Sequence, residues 1–303
     1  METLPNEVKR ILLEHLTYDQ QKSISRVSKI WAYLVLSIKR GIPKSCTYLK
    51  KIISEEFENI DVDISGNLIG VKNYQIKKID MDGNIIQTFG KRGTKNGEFG
   101  DSNGMALDLE GNILICDYAN RRIQIFSNEG VFKAKFCTNN KRDNCCPSGI
   151  AINPVADNIA ICDRYNNVIR IFDKTGKFIF QFGSYGLKDA EFDSAGDVII
   201  NKTNQNIIVV DGGRIQIFDK TGKFLFKINY EHEYFVSYDV KLFEERLYIV
   251  SHFNIIQIYD EICNKILEYE VDKDITISGL TILKNGDIVC LCDNEIHVLR
   301  LNF

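Results

Sequence analysis

Apolar residues along this chain follow two different spacings. In the first forty residues Leu4, Val8, Ile11/Leu12 and Leu16, then Ile24, Val27, Ile30/Trp31, Leu34/Val35 and Ile38, recur three and four positions apart, the period of one helix face. The spacing predicts two or three amphipathic helices. Pro5 suits a first turn, where its missing N–H would be unpaired anyway, and Thr17 or Asp19 serves to cap the next helix. Gly41-Ile42-Pro43 ends that pattern. From about residue 57 onward, short apolar runs alternate with Gly, Asn and Asp, which predicts strands joined by tight turns.

The strand region repeats itself. Gly111 to Asp117 leads into Asn120 to Phe126, a turn at Asn128-Glu-Gly130 and a run from Val131 to Phe136. The same order returns at Asn158 to Asp163, Val168 to Phe172, Lys174-Thr-Gly176 and Lys177 to Phe182. It returns again at Asn206 to Asp211, Arg214 to Phe218, Lys220-Thr-Gly222 and Lys223 to Ile228. Weaker copies lie at Gly66 to Phe89, Arg246 to Val271 and Gly286 to Phe303. The second run of each copy ends at Lys72, Asp117, Asp163, Asp211, Ser251 and Asp293, separated by 45, 46, 48, 40 and 42 residues, about one propeller blade each. The last copy has strands near Ile277 to Leu283, Asp287 to Leu291 and Ile296 to Leu301, and lacks a fourth. Cys46 to Ile53 is the candidate to supply it and close the ring, which removes the open edges a sheet must otherwise protect. The expected architecture is mainly β: a six-bladed β-propeller over 57–303, preceded by a helical module over 1–42 and a linker with the ring-closing strand over 43–56.

Composition narrows the class. With 303 residues, 44% hydrophobic and 26% charged, only 4 Pro and 21 Gly, the chain can bury a sizeable core, and collagenous or wholly disordered classes are excluded. No window reaches the roughly 18 apolar residues of a membrane span, and Glu2, Glu7 and Glu14 occupy the place of a secretory signal. A cytoplasmic protein is expected, with the nucleus as alternative. The odd count of nine cysteines in a long chain favours reduced thiols. The net charge of −3 hides an asymmetry: residues 1–50 carry nine Lys and Arg against four acids, leaving 29 against 37, or −8, for the remainder. Such a body is not disposed to bind a polyanion.

Two resemblances rest on particular residues. Gly97-Glu-Phe99, Gly104-Met-Ala-Leu-Asp108, Gly111-Asn-Ile113, Asp117 and Asn120 to Phe126 resemble the NHL repeat of six-bladed propellers, across roughly 57–303. The fifth copy departs from it, with Glu244-Glu-Arg246 and Ser251-His252 in place of Gly-Asn and Asp. Leu4-Pro-Asn-Glu-Val8, Ile11-Leu12, Leu16, Arg26-Val27-Ser28-Lys29 and Trp31 resemble an F-box, although the family usually has Cys where Ser28 stands. That resemblance implies docking to a Skp-type adaptor of a cullin ubiquitin ligase through Leu4, Pro5, Val8, Ile11, Leu12, Leu16, Val27 and Trp31. Independently, so short a helical segment with this much apolar surface needs a second surface to cover it.

No catalytic constellation emerges, and neither cofactor nor metal is expected. Cys145-Cys146 and Cys290-x-Cys292 lack zinc spacing, and His15, His232, His252 and His297 are scattered. Asp80-x-Asp82-Gly83-Asn84 opens like a calcium loop but has Lys91 where the bidentate Glu belongs; like the Lys-Thr-Gly turns it is read as a hairpin. Cys116, Cys162 and Cys292 are read as small core residues at one repeat position. Ligand contact is expected from loop residues Tyr118, Arg121, Lys141, Arg142, Arg164, Tyr165, Tyr185 and Lys202, whose Arg and Tyr suit a protein client. Arg122 and Arg214, at equivalent positions, are assigned to structural hydrogen bonding, and Asp117, Asp163 and Asp211 to turn capping. The reading is a non-catalytic substrate receptor of a ubiquitin ligase. The alternatives are an RNA-binding propeller, which the acidic balance disfavours, or a protein-interaction scaffold.

Overall fold

The computed structural model describes residues 45–53, 57, 59–72, 74–137, 145–153, 155–229, 240–244, 246–251, 254–260, 265–271, 276–292 and 295–302. Two compact units divide the chain, Met1–Lys44 with Phe303, and Ser45–Asn302; the described residues all belong to the second. The expected helices of 1–42 and the adaptor residues Leu4 to Trp31 lie outside the described residues, as do Lys141 and Arg142.

Six four-stranded antiparallel sheets form the body of the second unit, with a short parallel pair, Lys91–Arg92 and Glu98–Phe99, beside them. From inner to outer strand, blade 1 holds Asn59–Val62, Leu68–Lys72, Gln75–Ile79 and Ile85–Phe89, and blade 2 holds Ser102–Leu107, Ile113–Asp117, Arg122–Phe126 and Phe132–Phe136. Blade 3 comes next with Pro147–Asn153, Asn158–Asp163, Val168–Asp173 and Phe178–Phe182, and blade 4 with Ala195–Ile200, Ile207–Asp211, Arg214–Phe218 and Phe224–Asn229. Blade 5 is Val240–Phe243, Arg246–Ser251, Ile255–Tyr259 and Lys265–Glu270. Blade 6 takes Ile277–Ile282, Ile288–Cys292 and Glu295–Asn302 from the end of the chain and Ser45–Ile53 from before blade 1. Inner strands of successive blades touch, and that of blade 6 meets that of blade 1, so the ring is closed. Ser45–Ile53 lies antiparallel to Glu295–Asn302 from Ser45↔Asn302 to Ile53↔Glu295, with a bulge between Tyr48 and Lys50.

Strand position explains the hydrophobic pattern. Second strands such as Ile113–Asp117 and Ile207–Asp211 are buried along their whole length, because each is flanked by its own sheet and covered on both faces by neighbouring blades; they therefore read as unbroken apolar runs. Outer strands such as Ile85–Phe89 and Phe178–Phe182 are largely exposed. The core is a series of seams between blades. In one seam Leu114, Cys116 and Ile123 of blade 2 pack with Ile150, Ile159, Ile161 and Phe172 of blade 3. Phenylalanines near the ends of the third strands of blades 2, 3 and 4 link the seams: Phe126, Phe172 and Phe218 contact Phe89, Phe136 and Phe182 of the preceding blade with ring centroids 5.3, 5.3 and 4.8 Å apart.

The hairpin turns form as the sequence implies. Asp80 Oδ1 accepts from the amides of Asp82 and Asn84, and Asp173 Oδ1 from those of Thr175 and Lys177, so these carboxylates close turns between third and outer strands. Cys116 and Cys162 are fully buried, and burial first, then the charge of Asp197, pushes both thiols well up.

Two expectations need correction. Ile277 pairs with Cys292 as Ala195 pairs with Asp211, so Cys292, not Asp293, occupies the aspartate position of blade 6, and Leu291 is the equivalent of Cys116 and Cys162. Cysteine replaces the aspartate that marks this position in blades 2 to 4, and Asp293, one residue on, supplies a false landmark. The thiols are also not all reduced: Cys137 and Cys145 form a disulfide with Cα atoms 6.5 Å apart, since the end of the outer strand of blade 2 lies beside the start of blade 3.

Candidate functional site

Antiparallel order assigns every loop to a face. Turns between second and third strands share one face, here the upper, with the connections from one blade to the next. Turns between inner and second strands, and between third and outer strands, lie on the lower face. Hydrogen bonds confirm the grouping: Ala119 N donates to Asp101 O, and Arg164 N to Cys146 O, above; Lys174 N donates to Asp157 O below.

The upper face rests on a repeated buried lattice. Asp117, at the end of a second strand and fully buried, accepts from Gly100 N at 2.8 Å and from Arg122 Nε at 2.7 Å. Arg122 then donates to the carbonyl oxygens of Thr94, Lys95 and Glu98, each at 2.8 Å. Gln124 completes the clamp, giving Nε2 to Glu98 O and receiving Gly97 N. Blade 4 repeats it: Arg214 binds Asp211 and the carbonyls of Gly186, Leu187, Lys188 and Glu191, and Gln216 binds Glu191 O and Ala190 N. A guanidinium is suited to this task because its donors are fixed in one plane and never titrate. Burial raises Asp211 despite Arg214 beside it. The structural assignment of both arginines holds; Asp163 caps its turn through Asn166 N, while Asp117 and Asp211 instead accept an amide of the preceding connection; the two glutamines were missed, although their repeat spacing signalled them.

Five of the sequence-selected residues gather on this face. Tyr118 and Arg121 are half-buried in the turn of blade 2, with Arg121 at φ 56°. Arg164 and Tyr165 lie in the turn of blade 3, where Arg164 Nε donates to Ser194 Oγ at 2.8 Å. Tyr165 is 62% exposed; Tyr185, in the connection to blade 4, is 73% exposed, beside Leu187 at 74%. Lys202 does not join them. It lies between the inner strand Ala195–Ile200 and the second strand Ile207–Asp211 and so on the lower face, a placement that strand order alone decides. Exposed Lys91, Arg92 and Lys95 were missed; they occupy the connection equivalent to that of Tyr185, with Arg92 5.3 Å above the ring of Tyr74.

The lower face holds a cavity of about 90 Å³ between blades 2 and 3, floored by Leu114, Ile125, Ile152 and Ile159. Small-molecule sites usually need roughly 300 Å³ or more, so this one does not qualify. Among the described residues no group of His, Cys, Asp and Glu could hold a metal. Nor is any helix there long and apolar enough to cross a membrane. His297 pairs with Glu295 at 3.1 Å, while His15, His232 and His252 lie outside the described residues.

Comparison with known proteins agrees with both halves of the chain. Residues 1–42 match the model of the F-box domain, and residues 141–216 match a family described as 6-bladed beta-propeller. The chain joins an F-box domain to a six-bladed NHL-like propeller. Human tripartite motif-containing protein 2 is 40% identical over 60 residues, 20% of this chain and 8% of that protein. Protein brain tumor of Drosophila melanogaster is 34% identical over 87 residues, 27% of this chain and 8% of its own length. The chain thus matches only a small fraction of these relatives. Among solved structures, a streptogramin B lyase superposes with TM-score 0.62 at 14% identity, covering 85% of this chain and 97% of its own. Virginiamycin B lyase from Staphylococcus aureus gives 0.60 at 14%, covering 80% and 79%. At that identity the likeness concerns the fold alone.

Proposed function

We propose that this chain is the non-catalytic substrate-recognition subunit of an SCF-type ubiquitin ligase. The F-box match over residues 1–42 ahead of a closed propeller is the observation that carries the reading. Leu4, Pro5, Val8, Ile11, Leu12, Leu16, Val27 and Trp31 dock to a Skp-type adaptor and through it to the cullin, with Trp31 as aromatic anchor. The upper face of the propeller holds a protein client through Tyr118, Arg121, Arg164, Tyr165 and Tyr185. No bond is made or broken by the chain itself. Its effect is proximity, raising the local concentration of client lysines beside a charged conjugating enzyme, in the cytoplasm or nucleus. Two things support a client on this face: Arg164, Tyr165 and Tyr185 stand exposed, and Arg214 clamps the connection directly after Tyr185, so little ordering entropy opposes binding there.

The test is co-purification of the full chain with a Skp-type adaptor, alongside a Leu4→Ala/Pro5→Ala/Trp31→Ala variant whose propeller keeps its circular dichroism spectrum. Binding by wild type and its loss in the variant are expected. A folded wild type that does not bind overturns the reading.

A further inference from the structure

The upper-face connections of blades 1 to 2 and 3 to 4 share one construction. In each, a glycine with positive φ comes directly after the outer strand, Gly90 at 87° and Gly183 at 95°. Its missing side chain makes room for a phenylalanine ring: a Cβ there would lie 2.7 Å from Phe99 or 2.2 Å from Phe192. The residue after that phenylalanine donates its amide to the blade's aspartate, Gly100 to Asp117 and Asp193 to Asp211. An arginine opening the third strand, Arg122 or Arg214, then clamps the loop through its carbonyl oxygens.

The connection from blade 2 to blade 3 keeps the amide bond to the aspartate but departs at the glycine, the phenylalanine and the arginine positions. Cys146 N donates to Asp163, so Cys145 stands in the place of Phe99 and Phe192, and it is as deeply buried. Cys137 stands in the place of Gly90 and Gly183, with φ 52°. Val168 stands where those blades open the third strand with arginine, and Arg170, two residues further along, brings its Nε to 2.7 Å from Asp163 instead. The glycine–phenylalanine contact is replaced by the Cys137–Cys145 bond. We infer that Cys137 and Cys145 form a reversible thiol–disulfide site that ties the end of the outer strand of blade 2 to the start of blade 3 in place of the glycine–phenylalanine contact, making one sector of the upper face sensitive to redox state while its two counterparts are not.

Cys137 is half-exposed and Cys145 buried, so an incoming low-molecular-weight thiol reaches the Cys137 sulfur. Its thiolate attacks there, forming a mixed disulfide and releasing the Cys145 thiolate, which takes a proton. A second thiol attacks the small-molecule sulfur of the mixed disulfide, yielding the symmetrical disulfide and the Cys137 thiol. Two equivalents of thiol are oxidised and one protein disulfide is reduced; oxidised glutathione drives the reverse. Cys146, the adjacent thiol, is a poor competitor, since burial raises it. Reduction leaves two small side chains where the other connections have a ring, and Arg164, whose amide bonds Cys146 O, sits against the loosened segment.

The redox site stands independently of the ligase role. The full chain is equilibrated in glutathione buffers from fully reduced to fully oxidised, quenched in acid and alkylated with N-ethylmaleimide; peptide mass spectrometry then reads the linkage. The 137–145 link is expected to pass from under a tenth to over nine-tenths of molecules. Amide exchange at Cys146 and Arg164 is expected to rise at least tenfold on reduction, with Gly100 and Asp193 unchanged. A Cys137→Gly/Cys145→Phe variant, which restores the pair used elsewhere, should show no redox dependence. A link that does not form in oxidising buffer, a link to Cys146 instead, one that persists in excess dithiothreitol until the protein unfolds, or equal exchange in both states overturns the inference.

Discussion

Single side chains on the upper face carry more than their own contacts. Arg122 is one charge serving one buried carboxylate and three backbone carbonyls, so Arg122→Ala takes this donor from the Thr94 and Lys95 carbonyls and leaves the buried Asp117 carboxylate without its charge partner. Removing one member of a buried pair typically costs about 3–5 kcal/mol, and a drop of that order in unfolding free energy is expected from urea titration. Arg122→Lys should recover little, because an ammonium cannot span the planar set. Asp63 gives a pH counterpart. Burial pushes its carboxyl up, but hydrogen bonds from Lys78 and Asn67 outweigh this and hold it below the ordinary 3.8. A folded value below the unfolded one supplies stability that is present above 3.8 and lost as pH falls through the folded value. Urea midpoints of wild type and Asp63→Asn should therefore differ at neutral pH and converge only as the pH falls below 3.8; a constant gap would contradict this. At this scale the sequence showed Arg122 and Arg214 through their shared repeat position. It hid the disulfide, because anchoring the repeats on the aspartates leaves the exchange of Gly and Phe for two Cys in connections of unequal length.

Between residue and ring stand the blades, whose seams depend on close approach. Gly176, in the hairpin turn of blade 3, has φ 84°, and a Cβ there would lie 2.4 Å from the ring of Phe136 in blade 2. Gly176→Ala thus meets both backbone strain and overpacking, each worth roughly 1–3 kcal/mol, and a combined loss of about 2–6 kcal/mol is expected in chemical denaturation. The alternation of runs and turns made such hairpins legible, since Asp, Thr and Gly announce the turn chemically. Strand order was legible too, and it could have placed Lys202 on the lower face, where loops between first and second strands must lie. Blade 6 was read one residue out of register, because a missing aspartate removed the landmark and Cys292 took its position.

For the whole molecule, closure and recognition meet. Ser45–Ile53 completes blade 6, so a chain beginning at Ser45 should keep the cooperative unfolding of the propeller, whereas one beginning after Ile53 should expose the edge of Glu295–Asn302 and self-associate; size-exclusion chromatography separates the two. A ring closed in this way holds its loops on two rigid faces, and only the upper one combines exposed Tyr165, Tyr185 and Leu187 with Arg92 and Arg164. Aromatic and Arg anchors commonly contribute roughly 2 kcal/mol or more each to an interface. In the receptor reading, Tyr165→Ala/Tyr185→Ala should therefore lose at least tenfold in client capture while thermal stability and adaptor binding stay at wild-type values, since neither ring belongs to the buried seams. Lys202→Ala with Leu109→Ala, at exposed positions of the lower face, is the matched control and should capture clients normally. Ubiquitin-remnant proteomics on cells carrying each variant reads the difference. Equal loss in both variants, or loss only in the control, would move the client to another surface of the propeller while leaving the adaptor contact where the F-box puts it.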